Sequence, residues 1–158
     1  MKIILSYLTS SISIVFISWI VGMIITALAR KTNFYNGTLS NLNFIESETL
    51  NKIIGVGIVK WMVKYTFFKF FNPKLKITRK IDLSDLRTLR AEMNKSEIDH
   101  LFAFVFVMIF VVVMIFKDKY LFALIIFVVN ILMNLHPSLL QQQNKRRIDK
   151  MILKFKLS

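Results

Sequence analysis

The sequence predicts an all-α integral membrane protein of about three transmembrane helices, with amphipathic interfacial helices on the cytoplasmic side. Three observations predict it. Hydrophobic residues make up 55% of the chain, and they sit in long blocks rather than alternating with polar ones. The net charge is +13, and the lysines and arginines flank those blocks as they do beside membranes. The chain has 158 residues, which accommodates one small helical membrane domain and no separate soluble one. With zero cysteines there are neither disulfides nor thiolate metal sites. Phosphate-binding motifs are absent, so anionic phospholipid headgroups, not nucleic acid, are the partners the charge implies.

The first span covers about residues 3–29 and closes at Arg30-Lys31. Ala27-Leu28-Ala29 looks like a signal-peptidase site, but the apolar stretch is far longer than a signal core of about 7–15 residues, so a retained helix is expected. Residues 32–47 read as a loop with a turn at Asn36-Gly37. Over about 50–71, apolar positions interleave with Lys52, Lys60 and Lys64, which fall on one stripe of a helix. Spanning would put Lys60 and Lys64 near mid-bilayer at about 2.5–3.5 kcal/mol each. Lying in the interface avoids most of that cost, so an interfacial helix ending at Asn72-Pro73 is predicted. A basic connector, 74–80, leads to a short helix capped by Ser84.

The remaining spans form a hairpin. Asn94-Lys95-Ser96-Glu97 reads as a capped start, 98–116 and 120–140 as the two spans, and Lys117-Asp118-Lys119 as the turn. Ile148, Met151, Ile152 and Phe155 among lysines predict a basic amphipathic tail over 145–156. Between Arg30 and Asp99 thirteen Lys/Arg stand against seven Asp/Glu, and after Leu140 six stand against one. The positive-inside rule then gives a multi-pass cell-membrane protein with its N-terminus outside and its C-terminus in the cytoplasm.

His100 lies 18 residues before Asp118 and His136 lies 18 after it. An antiparallel hairpin therefore brings Glu97, His100, Asn134 and His136 to similar depth at its open end. Glu97 and His100, at i and i+3, share a helix face, so the carboxylate is expected to orient an imidazole acting as general base. Asn130 and Asn134 are expected to donate to a developing oxyanion. Gln141, Asn144 and Arg147 recur about once per turn and suit a polar headgroup or phosphate. Each residue also has a plain structural reading: membrane Asn as interhelical glue, a terminal Lys/Arg run as a boundary marker. One Glu-x-x-His is half of a di-iron site and lacks its other half, so no metal or other cofactor is expected. Neither histidine has an Asp five residues on, where Val105 and Gln141 stand, so the His-x4-Asp acyltransferase motif is absent.

Taken in order, these features resemble the glycosyl-4,4'-diaponeurosporenoate acyltransferase family of staphyloxanthin-type carotenoid synthesis. The matching residues are Lys60-Trp61, Glu97 with His100, Asn134, Pro137, Gln141, Asn144 and Arg147. Gln142 replaces an Arg of the family pattern, Gln143 a Tyr and Lys145 an Arg, and Pro137 falls one residue late. The resemblance covers about residues 50–155. It implies a membrane-embedded acyltransferase that moves a fatty acyl group to a sugar hydroxyl of a glycosylated isoprenoid, carotenoid or other glycolipid. His100 and Glu97 are then catalytic, and Asn134, His136, Gln141, Asn144, Arg147, Lys60 and Trp61 bind substrate. The alternative is a non-enzymatic helical membrane subunit, a scaffold or pore assembled as a homo-oligomer or with a membrane partner.

Overall fold

The computed structural model describes residues 1–42 and 82–157. The interfacial helix expected over 50–71, with Lys60 and Trp61, and the connector 74–80 lie outside the described residues. Within them the chain is helical with no strand: α1 (Lys2–Ala29), α2 (Asn33–Gly37), a 3-10 turn (Leu39–Asn41), α3 (Leu83–Phe116), α4 (Tyr120–Asn130), a π-helical turn (Ile131–Leu135) and α5 (His136–Leu157). Three rods are long and apolar enough to cross a bilayer: α1, α3, and the continuous α4–π–α5.

Burial in α1 is inverted relative to a water-soluble helix. Ser11, Val15, Ser18, Gly22 and Thr26 face inward, while Ile3, Leu5, Phe16, Ile17, Ile20 and Ile24 face out. Without a hydrophobic drive between helices in lipid, small residues are what let two backbones approach. Ser11 and Ser18 donate back to the carbonyls of Tyr7 and Val15, so their burial leaves no hydroxyl unpaired. The closest approach is at Gly22, where a Cβ would lie 2.2 Å from the Asp99 carbonyl oxygen. Only glycine fits there.

Below α1 the chain turns back over α3. Thr32 caps α2 by accepting the Tyr35 N–H. Tyr35 and Leu39 then bury against Ile98. The loop expected over 32–47 is thus helical in its first part, because its own side chains supply the cap and an apolar anchor.

α3 begins eleven residues before the expected cap at Asn94. Its cap is Asp82, not Ser84: Asp82 accepts the Asp85 N–H, and Asp85 accepts the Asp82 N–H, a reciprocal capping box. Asn94 lies mid-helix and is buried. At 34 residues α3 is about 51 Å long, well beyond the roughly 30 Å hydrocarbon layer. The turn runs through Asp118 at φ 55°, a left-handed conformation that Asp tolerates better than most residues.

After the turn, Pro137 shapes the third rod. Its ring cannot donate to the Met133 carbonyl and would clash with it in a regular helix. The π-helical turn immediately before it relieves that conflict. It also keeps Asn130, Asn134 and Ser138 facing inward although steps of four drift about 40° each on a 3.6-residue helix. α5 then runs on without a break to Leu157, and Ile148 packs on Leu86 and Leu89 of α3. The tail expected as a separate interfacial helix is therefore the outer end of the third rod, held by an apolar seam. At the other end Val15, Val107, Val111, Ala123, Ile126 and Val129 form the three-helix core.

Candidate functional site

Polar side chains collect at the open end of the hairpin in two layers. The inner layer centres on Asn134, fully buried. Its carbonyl oxygen accepts the Trp19 indole N–H at 2.9 Å, and its amide donates to Ser18 Oγ at 3.2 Å and Asn130 Oδ1 at 2.8 Å. Asn130 in turn donates to the Phe104 carbonyl at 3.1 Å. Asn134 thus ties α1 to the third rod, and Asn130 ties that rod to α3. The Asn134 oxygen and both its amide hydrogens are engaged, so as placed it has no spare donor for an oxyanion.

His100 stands beside this node. Its ring meets Trp19 edge to face, with centroids 6.0 Å apart and planes at 90°. The groups acting on it electrostatically are the Asn134 side chain and Asp99. Nδ1 is buried and has no hydrogen-bond partner among the described residues, while the residue as a whole is only half-buried. The imidazole therefore keeps one buried nitrogen without a hydrogen-bond partner.

The outer layer centres on Glu97, also fully buried. Oε2 pairs with Lys145 Nζ at 2.7 Å, and Oε1 accepts from Gln142 Nε2 at 2.9 Å. Ser138 donates to the Glu97 backbone carbonyl at 3.1 Å. Lys145 spends its remaining donors on the Leu42 carbonyl at 2.9 Å and Asn94 Oδ1 at 3.4 Å, and Asn94 donates to the Tyr35 hydroxyl at 3.0 Å. A buried ion pair stabilises only when its surplus donors and acceptors are met, and here they are.

These contacts redistribute the expected roles. His100 and Asn134 are brought together, and Trp19 touches both. Glu97 does not serve His100 as expected, because Lys145 and Gln142 take both its oxygens. On α5 the inward row is Ser138, Gln142 and Lys145, at i, i+4 and i+7. Gln141 and Asn144 are half-buried beside it and Arg147 is exposed. His136 is half-buried at the start of α5. Sequence reasoning missed Trp19, although the small residues Ser11, Ser18, Gly22 and Thr26 recur at helical spacing beside it and mark the inward face of α1. It missed Lys145 as well, inside the run Lys145-Arg146-Arg147. There the spacing from Ser138 was an available signal, since Glu97, 21 residues before Asp118, falls opposite residue 139.

A sequence model of the glycosyl-4,4'-diaponeurosporenoate acyltransferase family matches residues 31–154. The match takes in Glu97, His100, Asn134, Gln142 and Lys145, and begins after Ser18 and Trp19. No curated protein and no solved structure matches.

Proposed function

The chain belongs to the glycosyl-4,4'-diaponeurosporenoate acyltransferase family, and from that premise we propose that it is a membrane-embedded enzyme transferring a fatty acyl group to a sugar hydroxyl of a glycosylated isoprenoid or other glycolipid. The observation that carries this reading is His100, whose Nδ1 is buried without a hydrogen-bond partner in a residue that is itself only half-buried. In the reaction the sugar hydroxyl gives its proton to the imidazole as its oxygen attacks the acyl carbonyl. The tetrahedral intermediate then collapses, the ester forms, and the leaving group departs with the proton from the imidazolium. Trp19 and Asn134 hold the ring, and the Glu97–Lys145 network holds the two helices that carry the layer. Gln141, Asn144 and His136, half-buried on the same rod, remain the candidates for the sugar or headgroup.

Membrane insertion with the open end in the cytoplasm belongs to the same proposal. Its support is the three apolar rods and the excess of cations at that end. A pore lined by Asn130 and Asn134 has no such support, since both amides are buried and bonded within one chain. The test is product formation by purified, folded His100→Ala supplied with acyl donor and glycolipid. Loss of turnover with the fold retained is the expected outcome. Near-normal turnover removes His100 as the base.

A further inference from the structure

The outer ends of α3 and α5 form a two-helix stalk. Leu86, Leu89 and Met93 pack against Ile148 and Ile152, and Arg90 pairs with Asp149. Its height follows from the turn. Some 20 residues from Tyr120 cross the hydrocarbon layer and end near Leu139, and each interfacial layer adds about 5–7 Å, or roughly five residues. The headgroup layer therefore ends near Lys145, and α5 continues to Leu157.

On this projecting end Arg147, Lys150 and Lys154 are exposed and recur at i, i+3 and i+7, on the side of α5 turned away from Ile148 and Ile152. Exposed Met151 lies on the same face. The one acid on α5, Asp149, is already paired with Arg90. The wider sequence supplies no complement either, with 9 acids against 22 bases in all. No ion pair holds Arg147, Lys150 or Lys154 among the described residues, which leaves the stripe free to meet charge on another molecule.

We propose that the stripe Arg147–Lys150–Lys154 docks an acidic carrier protein that presents the acyl group as a thioester. This rests on the acyl-transfer reading, which requires an activated acyl donor. Two observations select a protein. The stripe is the convex face of a single helix, whereas a small polyanion is gripped by convergent groups in a concave site. By the same estimate Arg147 stands about 3 Å beyond the edge of the headgroups and Lys154 about 14 Å, so the stripe rises from the membrane surface to a height accessible to a soluble domain. Complementary charge would steer such a partner to the end of the rod that carries His100, with Lys150 about 21 Å along α5 from His136.

The experiment measures binding first, and ester formation with added glycolipid separately. The full chain, in nanodiscs of uncharged phosphatidylcholine, is titrated with palmitoyl-loaded bacterial acyl carrier protein. The variants are the triple R147Q/K150Q/K154Q and the control K117Q/K119Q, which removes charge from the opposite end. The expected result is salt-sensitive binding that weakens about tenfold or more in the triple variant and not in the control. Equal affinity for all three proteins overturns the proposal. So does stripe-dependent binding of palmitoyl-coenzyme A without binding of the carrier protein, which would assign the stripe to a small thioester. Loss confined to co-flotation with phosphatidylglycerol vesicles would assign it to lipid headgroups and overturn it equally. A chain that binds the carrier but forms no ester keeps the docking surface and removes the enzyme reading, so the two failures are told apart.

Discussion

Glu97 on α3 and Lys145 on α5 meet at 2.7 Å with side chains 0% and 5% exposed, 48 residues apart in the chain. Each is fully bonded elsewhere too, so the pair closes the open end of the hairpin onto Leu42 and Tyr35. Burying two charges costs more than their attraction returns unless every donor is met. Here every donor is met, so the pair offsets the cost of its own burial while it fixes which helix faces meet.

Removing one partner should be worse than removing both. Lys145→Met leaves an uncompensated carboxylate and is expected to cost about 3–5 kcal/mol, as is Glu97→Leu. The double variant should recover a large part of that loss, short of the wild type because the Gln142 amide and Leu42 carbonyl lose partners. Unfolding of the four purified proteins in one micelle system measures the coupling. Strictly additive losses would show that the pair does not act as a unit.

Gly22 permits the closest contact in the fold. In Gly22→Ala the new methyl meets the Asp99 carbonyl, a backbone atom that cannot swing aside, so a loss of about 1–3 kcal/mol is expected. Gly37→Ala is the matched control, with nothing within 4 Å of its Cβ position. Thermal unfolding should separate the two, and equal melting points would mean that α1 and α3 can move apart at no cost.

The hairpin, its turn and the two apolar runs were legible because long unbroken apolar blocks have few other readings. The start of α3 was not. Ser84 and Asn94 both have the chemistry of a cap, and only the tertiary partners Tyr35 and Lys145 reveal why an asparagine sits mid-helix. Lys145 was hidden for a related reason. A cation in a Lys-Arg-Arg run reads as a membrane boundary, and its burial depends on a partner 48 residues away. The depth of Glu97 relative to residue 139 was readable from turn arithmetic. What Glu97 touches was not, since rotation of one helix about its axis is set by packing.

Trp19→Phe should separate scaffold from site. It keeps an aromatic ring beside His100 but removes the N–H that Asn134 Oδ1 accepts. Interhelical hydrogen bonds in membranes average only about 0.6 kcal/mol, so the stability loss should be near 1 kcal/mol. Turnover per folded molecule should fall about tenfold or more, because a freed Asn134 and a loosened ring misplace the base. Paired unfolding and rate measurements check this. A rate that falls only in step with the folded fraction would make Trp19 a packing residue alone.

Topology gives the last prediction. Lys145 donates to the Leu42 carbonyl, which places Leu42 at the open end of the hairpin. Asp82 caps the projecting start of α3 at that same end. Leu42 and Asp82 therefore lie at the same end of the three-rod bundle. Reporter fusions at Lys31, at Asp82 and after Ser158 should all report the cytoplasm. Fusions at Met1 and Asp118 should report the outside. Opposite signals at Lys31 and Asp82 would require a crossing between them, and would dissolve the Leu42–Lys145 contact together with the closed outer layer around Glu97.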